Sequence, residues 1–358
     1  MGYALPPIDR RSVNLAGETF RRTTATIDEV LDAWKGLFEW RAAHAYPLLC
    51  LYVLLSNRAK RITANSIVAQ RLKRYPSILA KLRREPSMKL SQMQDIGGCR
   101  AIMPTISEVV RLRDLFTRVK KDRHTLGGVK DYIHNPKPDG YRGVHIVCKY
   151  NATSQSKRVY NGMKVEIQIR SRLQHAWATA VEVVDAFKSS SLKSGLKQNL
   201  GDPNWRRFFA LMGSVIARKE GQPLVPGTPE DESVLKSELR LLASQLRVRE
   251  TLRGLNLALN VEKHLRETEL KARSKDLRLY LLELDLRANK VRFTAFKHSQ
   301  SEDANRLYAQ RESENIEDSS KLFVLVAVRS LKALKAAYPN YYMDTTTFVK
   351  TLSSVIDA

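Results

Sequence analysis

"KPDGYRGVHIVCKY", residues 137–150, reads as a turn that feeds a strand. Pro138, Asp139 and Gly140 carry turn chemistry, and the apolar residues Val144, Ile146 and Val147 follow them. The turn is also dressed for a ligand. Lys137, Tyr141, Arg142 and His145 set a cation, an aromatic face, a guanidinium and an imidazole around one glycine, at the mouth of one strand.

Outward from this turn the chain alternates strands and helices. Downstream, "MKVEIQIRS" (163–171) repeats with period two, so Val165, Ile167 and Ile169 share one face and Glu166, Gln168 and Arg170 the other. Such a polar row lines a cleft; an edge strand with one wet face gives the same alternation. "LQHAWATAVEVVDAF" (173–187) is a helix in which His175 and Trp177 read as core. Upstream, Asp95 opens the strand-like "DIGGCRAIM" (95–103), and Gly97-Gly98 lets another chain or a phosphate approach closely. "ISEVVRLRDLFTRV" (106–119) is an amphipathic helix. The alternation indicates an α/β or α+β core over roughly residues 60–200.

Before that core lies a basic belt. Arg58 to Lys89 holds ten Lys or Arg residues against one acid, Glu85. A solvated face usually mixes signs, so this belt reads as an anion site. Arg71, Lys73, Lys81 and Arg100 supply cations suited to a triphosphate, and Asp95 with Glu166 supplies hard oxygens for Mg²⁺ bridging nucleotide phosphates.

Composition agrees. Of 358 residues, 61 are basic and 37 acidic, giving +24, an excess that suggests a polyanionic partner. No uncharged apolar stretch reaches the length of a membrane span, and "AYPLLCLYVLL" (45–55), flanked by Arg41 and Arg58, reads as a buried helix. The N-terminus lacks a basic-then-apolar signal pattern. Three isolated cysteines, Cys50, Cys99 and Cys148, make neither a disulfide framework nor a zinc motif and read as thiols in a reducing cytoplasm. No GxxxxGK[ST], GxGxxG or HExxH pattern appears.

Four units are expected. Residues 1–55 are N-terminal helices, and 56–215 are the catalytic core. Residues 216–276 combine a Pro/Gly-rich linker with a long charged helical stretch. Residues 277–358 read as a small ββαβα unit: a hairpin turning near Ala288-Asn289, a helix from a Ser N-cap, the buried strand "KLFVLVAV" and a helix broken by Pro339.

"RLKRYPSILAKL", "DIGGCRAI", "KDYIHNPKPDGYRGVHIV" and "VEIQIRSRLQHAWA" occur in that order over about residues 50–200. Together they resemble the RelA/SpoT nucleotide pyrophosphokinase domain, an α+β fold with a mixed sheet flanked by helices. The resemblance implies transfer of the β,γ-pyrophosphate of ATP to a ribose 3′-hydroxyl. It implies that Arg71, Lys73, Arg74, Ser77, Lys81 and Arg100 hold ATP and that Asp95 and Glu166 hold Mg²⁺. It makes Lys137, Tyr141, Arg142, His145, Gln168 and Arg170 the acceptor side, with Tyr141 stacked on the acceptor base. Displacement at the β-phosphorus needs an in-line hydroxyl, a metal and cations, not a covalent protein nucleophile. "GYRGVH" departs from the Ser that alarmone synthetases commonly carry before a Leu-His in this loop.

The C-terminal unit contains Tyr338-Pro339-Asn340-Tyr341 after a helix. A Tyr-x-x-Tyr in an appended fold resembles the CapRel-like fused toxin–antitoxin branch of toxic small alarmone synthetases, whose pseudo-zinc-finger domain blocks ATP. An ordinary aromatic patch has the same composition. No cysteine lies beyond Cys148, so this unit is not a cysteine-built zinc finger. By this resemblance Tyr338 and Tyr341 are autoinhibitory and a phage major capsid protein is the trigger. Three functions follow as expectations: a cytoplasmic, monomeric pyrophosphokinase of the tRNA CCA end, a (p)ppGpp synthetase using GDP or GTP, or an inactive RNA-binding module.

Overall fold

The computed structural model describes all residues except 1–2, 8, 119–122, 192–201, 253–259, 262–277, 286–287, 289, 316–317, 319, 329–344 and 358. Its centre is a mixed sheet whose strands run β3-β4-β5-β2-β1-β9-β7-β8-β6 across the described residues. In chain order these are β1 (Ile67–Leu72), β2 (Gly97–Met103), β3 (Thr125–Asp131), β4 (Val144–Lys149), β5 (Lys164–Ser171), β6 (Asn260–Val261), β7 (Arg278–Asp285), β8 (Lys290–Lys297) and β9 (Lys321–Val328). The strand foreseen after the turn is β4, and the alternating "VEIQIR" segment is β5.

Period-two alternation decides which side of the sheet is apolar and which carries the polar row. Val165, Ile167 and Ile169 of β5 are buried with Val144, Ile146 and Cys148 of β4 against α3 (Ala45–Ile62), through Leu48, Leu51 and Leu55. Glu166, Gln168 and Arg170 therefore point to the opposite face. β2 runs parallel to β5 and antiparallel to β1, which sets Arg71, Gly98 and Glu166 in one row across three strands. The next row joins Arg100, Gln168 and His145. A Cβ on Gly97 would meet Leu48 at 3.5 Å, so this glycine lets α3 sit close, whereas a Cβ on Gly98 would meet only the Arg71 carbonyl, at 3.8 Å. The floor between Arg71 and Glu166 stays open.

On the face that carries Glu166 the sheet is covered by α6 (Arg172–Ser191), α7 (Pro203–Lys219), α8 (Glu232–Gln245) and a C-terminal helix, Thr346–Ile356. Trp177, Trp205, Phe208, Phe209 and Phe348 are among the large side chains of that layer. Each large apolar side chain buried there contributes about 1.5–3 kcal/mol.

The C-terminal strands extend this same sheet. β7 and β8 form the foreseen antiparallel hairpin, and β9 lies between β7 and β1, pairing antiparallel with both. Its contact with β1 falls at Gln70–Ala327 and Arg71–Val326, directly behind the candidate donor site. The α3-side face of β7 and β9 is covered by α9 (Ser301–Glu314) through Ala304 and Tyr308, and the helix Thr346–Ile356 is α10. The helix foreseen around Pro339 lies outside the described residues. Among the described residues, no helix is long and apolar enough to cross a membrane.

Candidate active site

A cleft opens on the face of the sheet that carries Glu166, lined by Arg71, Lys73, Asp95, Gly98, Cys99, Arg100, Glu166 and Gln168. Residues from three separated stretches meet here because β1, β2 and β5 are neighbours. The side chains of Lys73 and Asp95 project from the ends of β1 and β2, and Lys81 reaches in from α4 (Tyr75–Arg84).

Both carboxylates are ionised and already engaged. Lys73 Nζ donates to Asp95 at 2.6 Å and Lys81 Nζ at 3.1 Å. Burial alone would raise the Asp95 pKa, but the two ammonium groups outweigh it and hold the carboxyl below its ordinary range. Glu166 shows the same balance: burial pushes it up, and the bonds from His145 and Gln168 bring it below its ordinary value. Asp95 acts on Glu166 as a like charge, which marks the two groups as members of one site.

Behind Glu166 runs a directed chain of hydrogen bonds. Arg170 Nη2 donates to the Tyr141 hydroxyl at 2.7 Å, Tyr141 meets His145 Nε2 at 2.5 Å, and His145 Nδ1 meets Glu166 Oε1 at 2.9 Å. Since a carboxylate only accepts, the network assigns the Nδ1–H tautomer to His145, with Tyr141 donating to Nε2. Gln168 Nε2 donates to the other Glu166 oxygen at 2.7 Å.

The quoted turn is seated on α7. Gly140 adopts φ +91, and a Cβ there would lie 2.6 Å from the Phe209 carbonyl oxygen, so only glycine fits. Trp177 Nε1 donates to that same carbonyl at 2.9 Å, which confirms Trp177 as a supporting core residue. Lys137 stands over the rings of Tyr132, at 4.6 Å, and Tyr141, at 5.3 Å. Tyr132 joins the site without a local sequence signal that would single it out; its ring packs edge-on against both Tyr141 and His145.

Not every expected residue points into the cleft. Arg142 is 2% exposed and donates to the carbonyls of Ile133, at 3.0 Å, and Pro223. Burial pushes its pKa down to about 10. It straps the turn to its neighbours rather than facing an acceptor. Arg170 is 5% exposed and acts through Tyr141 and Gln168, one layer behind the cleft. Ser77 lies half-buried in the first turn of α4, and Arg74 is the residue immediately before that helix. Tyr338 and Tyr341 lie outside the described residues.

The donor set suits Mg²⁺. Among the described residues no group of three or more carboxylate, imidazole or thiolate side chains gathers into a self-sufficient metal site. Two ionised carboxylates facing one cationic cleft match an ion that takes one or two protein carboxylates and completes its shell with phosphate oxygens and water.

Residues 70–190 match the family described as a region found in RelA / SpoT proteins. The chain is 33% identical over 136 residues to the GTP pyrophosphokinase YjbM of Bacillus subtilis (strain 168), covering 37% of this chain and 62% of that protein. It is 33% identical over 115 residues to the GTP pyrophosphokinase YwaC of the same organism, covering 30% of this chain and 52% of that protein. The chain thus spans less than two thirds of either relative. A crystal structure of the small alarmone synthetase 2 from Bacillus subtilis aligns at a TM-score of 0.42 and 23% identity, covering 52% of this chain and 94% of that one.

Proposed function

We propose that this chain, whose residues 70–190 are a RelA/SpoT region, is an ATP pyrophosphokinase that transfers the β,γ-pyrophosphate to the 3′-hydroxyl of the tRNA CCA end. The observation that carries the reading is the pair Asp95 and Glu166, both ionised, in one cleft with Arg71, Lys73 and Arg100.

Each residue then has a role its position supports. Arg71 and Arg100 offer guanidinium faces for a purine and charge for phosphates. Lys73 and Lys81, which reach Asp95 here, are equally placed for phosphate oxygens. Asp95 and Glu166 would hold Mg²⁺, which would supply charge neutralisation for the reaction. The acceptor oxygen attacks the β-phosphorus, the bond to the α-phosphate oxygen breaks, and AMP leaves. Glu166, kept ionised and oriented by His145 and Gln168, accepts the hydroxyl proton. Tyr141 and Tyr132, with Lys137 above them, form the platform for the acceptor base.

The +24 charge favours tRNA as acceptor. GDP or GTP is the second reading, favoured by two relatives that are GTP pyrophosphokinases. The C-terminal unit, by its Tyr-x-x-Tyr, is read as a restraint that a phage major capsid protein relieves. Incubation with γ-labelled ATP, Mg²⁺ and either tRNA or GDP, with and without capsid protein, tests all of this. Label in tRNA supports the first reading, and label in a guanosine tetraphosphate supports the second. Label in neither, at any capsid concentration, leaves a nucleic-acid-binding module.

A further inference from the structure

The turn that carries Lys73 into the cleft is gripped from behind by residues of the C-terminal unit. Arg41 of α2 (Ile27–Ala43) is 3% exposed, donates through Nε to the Lys73 carbonyl at 2.7 Å and through Nη1 to the Tyr75 hydroxyl at 3.3 Å. Its guanidinium lies between two rings, 4.4 Å from Tyr75 and 4.6 Å from Tyr308 of α9. Glu312, one helical turn beyond Tyr308, is also 3% exposed, and its Oε2 accepts from the Tyr75 backbone N–H at 3.3 Å.

That bond has the chemistry of a helix cap. α4 begins at Tyr75, and Arg74 before it provides no side-chain acceptor for the free N–H groups of the first turn. Glu312 supplies one from 237 positions away, its carboxyl oxygen set at the positive end of the helix. Burial pushes its carboxyl pKa up, and the charges of Arg41 and Arg74 act against that rise. The segment so held contains the donor-side candidates Lys73, Ser77 and Lys81, and β9 pairs with β1 at Arg71 beside them.

We propose that Glu312 and Tyr308 are positioning residues for the donor nucleotide, so that the C-terminal unit completes the ATP site. This rests on the pyrophosphokinase reading for its consequence, not for its geometry. The clamp needs α9 and β9 in place. Any partner that switches the enzyme on must therefore act without undocking them, and removal of residues 277–358 disables the donor site instead of releasing it.

Glu312→Leu removes the cap, whereas Glu312→Gln keeps an acceptor oxygen. In the full-length protein Glu312→Leu is expected to raise KM for ATP about tenfold, with kcat at saturating ATP and KM for the acceptor within about twofold, while Glu312→Gln stays within about threefold. Amide exchange separates positioning from general loss of stability. Exchange at Tyr75–Ile78 should accelerate in Glu312→Leu while β5 keeps its protection. An unchanged or lowered KM for ATP, or equal acceleration in both segments, overturns the proposal. If the wild-type protein binds ATP but transfers nothing, the pyrophosphokinase reading fails by itself, and binding of a non-hydrolysable ATP analogue to the two variants decides the clamp.

Discussion

Tyr141→Phe deletes one hydroxyl and with it the middle of the chain from Arg170 to Glu166. The cost can be worked from the partners left behind. Arg170 is 5% exposed, and its Nε and Nη1 are buried without a hydrogen-bond partner. Its Nη2 would keep only Gln168 Oε1, at 3.3 Å, in place of the 2.7 Å bond to Tyr141. The ring contact at 5.0 Å survives the change. A bond to a charged group contributes about 1.5–3 kcal/mol and a neutral one about 0.5–1.5 kcal/mol. Losing one of each gives an expected destabilisation of about 2–4 kcal/mol, read as the shift in urea midpoint multiplied by the unfolding slope. Transfer should fall as well, because His145 loses the partner that fixes its tautomer beside Glu166, while KM for ATP stays unchanged. Tyr141→Leu should lose a further 1–3 kcal/mol or so in acceptor binding, since it removes the stacking face too. A Tyr141→Phe protein within about 0.5 kcal/mol of wild type, with normal turnover, would refute the chain and leave Tyr141 a stacking surface only.

Three further outcomes are expected. Asp95→Asn and Glu166→Gln should each abolish transfer with ATP and Mg²⁺ while preserving the far-ultraviolet circular dichroism; near wild-type turnover in both would remove them from the site. Asp95 and Glu166 are held below their ordinary values of 3.8 and 4.5, so the stability they contribute is complete above those values and is lost as pH falls through the lower folded-state values. Acid titration of unfolding free energy should show this loss, and Asp95→Asn should flatten it. Gly140→Ala places a methyl 2.6 Å from the Phe209 carbonyl at φ +91 and should destabilise the protein by about 2 kcal/mol or more, whereas the exposed and unhindered Gly128→Ala should cost less in the same urea titration.

How legible the molecule was depended on whether the information was local. β5 could be read because one of its faces is wholly buried, so period two separates Val165, Ile167 and Ile169 from Glu166, Gln168 and Arg170 without ambiguity. Arg142 could not be aimed from sequence. It stands between Gly140 at φ +91 and Gly143 at φ +150, and those backbone angles turn its guanidinium towards Ile133 and Pro223. The strand "KLFVLVAV" declared itself buried by composition, yet its neighbour is chosen by backbone hydrogen bonds, which carry no side-chain signature.

The donor-site clamp is the instructive middle case. On α9, Ala304, Tyr308 and Glu312 follow one another at four-residue spacing, so they share a face and the face is buried. A glutamate in such a stripe breaks the apolar pattern, and burying a carboxylate is costly unless a cation or donor meets it. The same anomaly sits on α2, where Arg41 is buried beside Leu37 and Trp40. Each residue, taken alone, announces a missing partner of opposite sign. Only the fold shows that both grip one turn from opposite ends of the chain, and that this turn is the one from which Lys73 reaches Asp95. An inward-facing charge in an otherwise apolar helix stripe is thus evidence for polar groups waiting elsewhere in the chain, and the element that supplies them, here the turn from Lys73 to Tyr75, is the one whose geometry such charges fix.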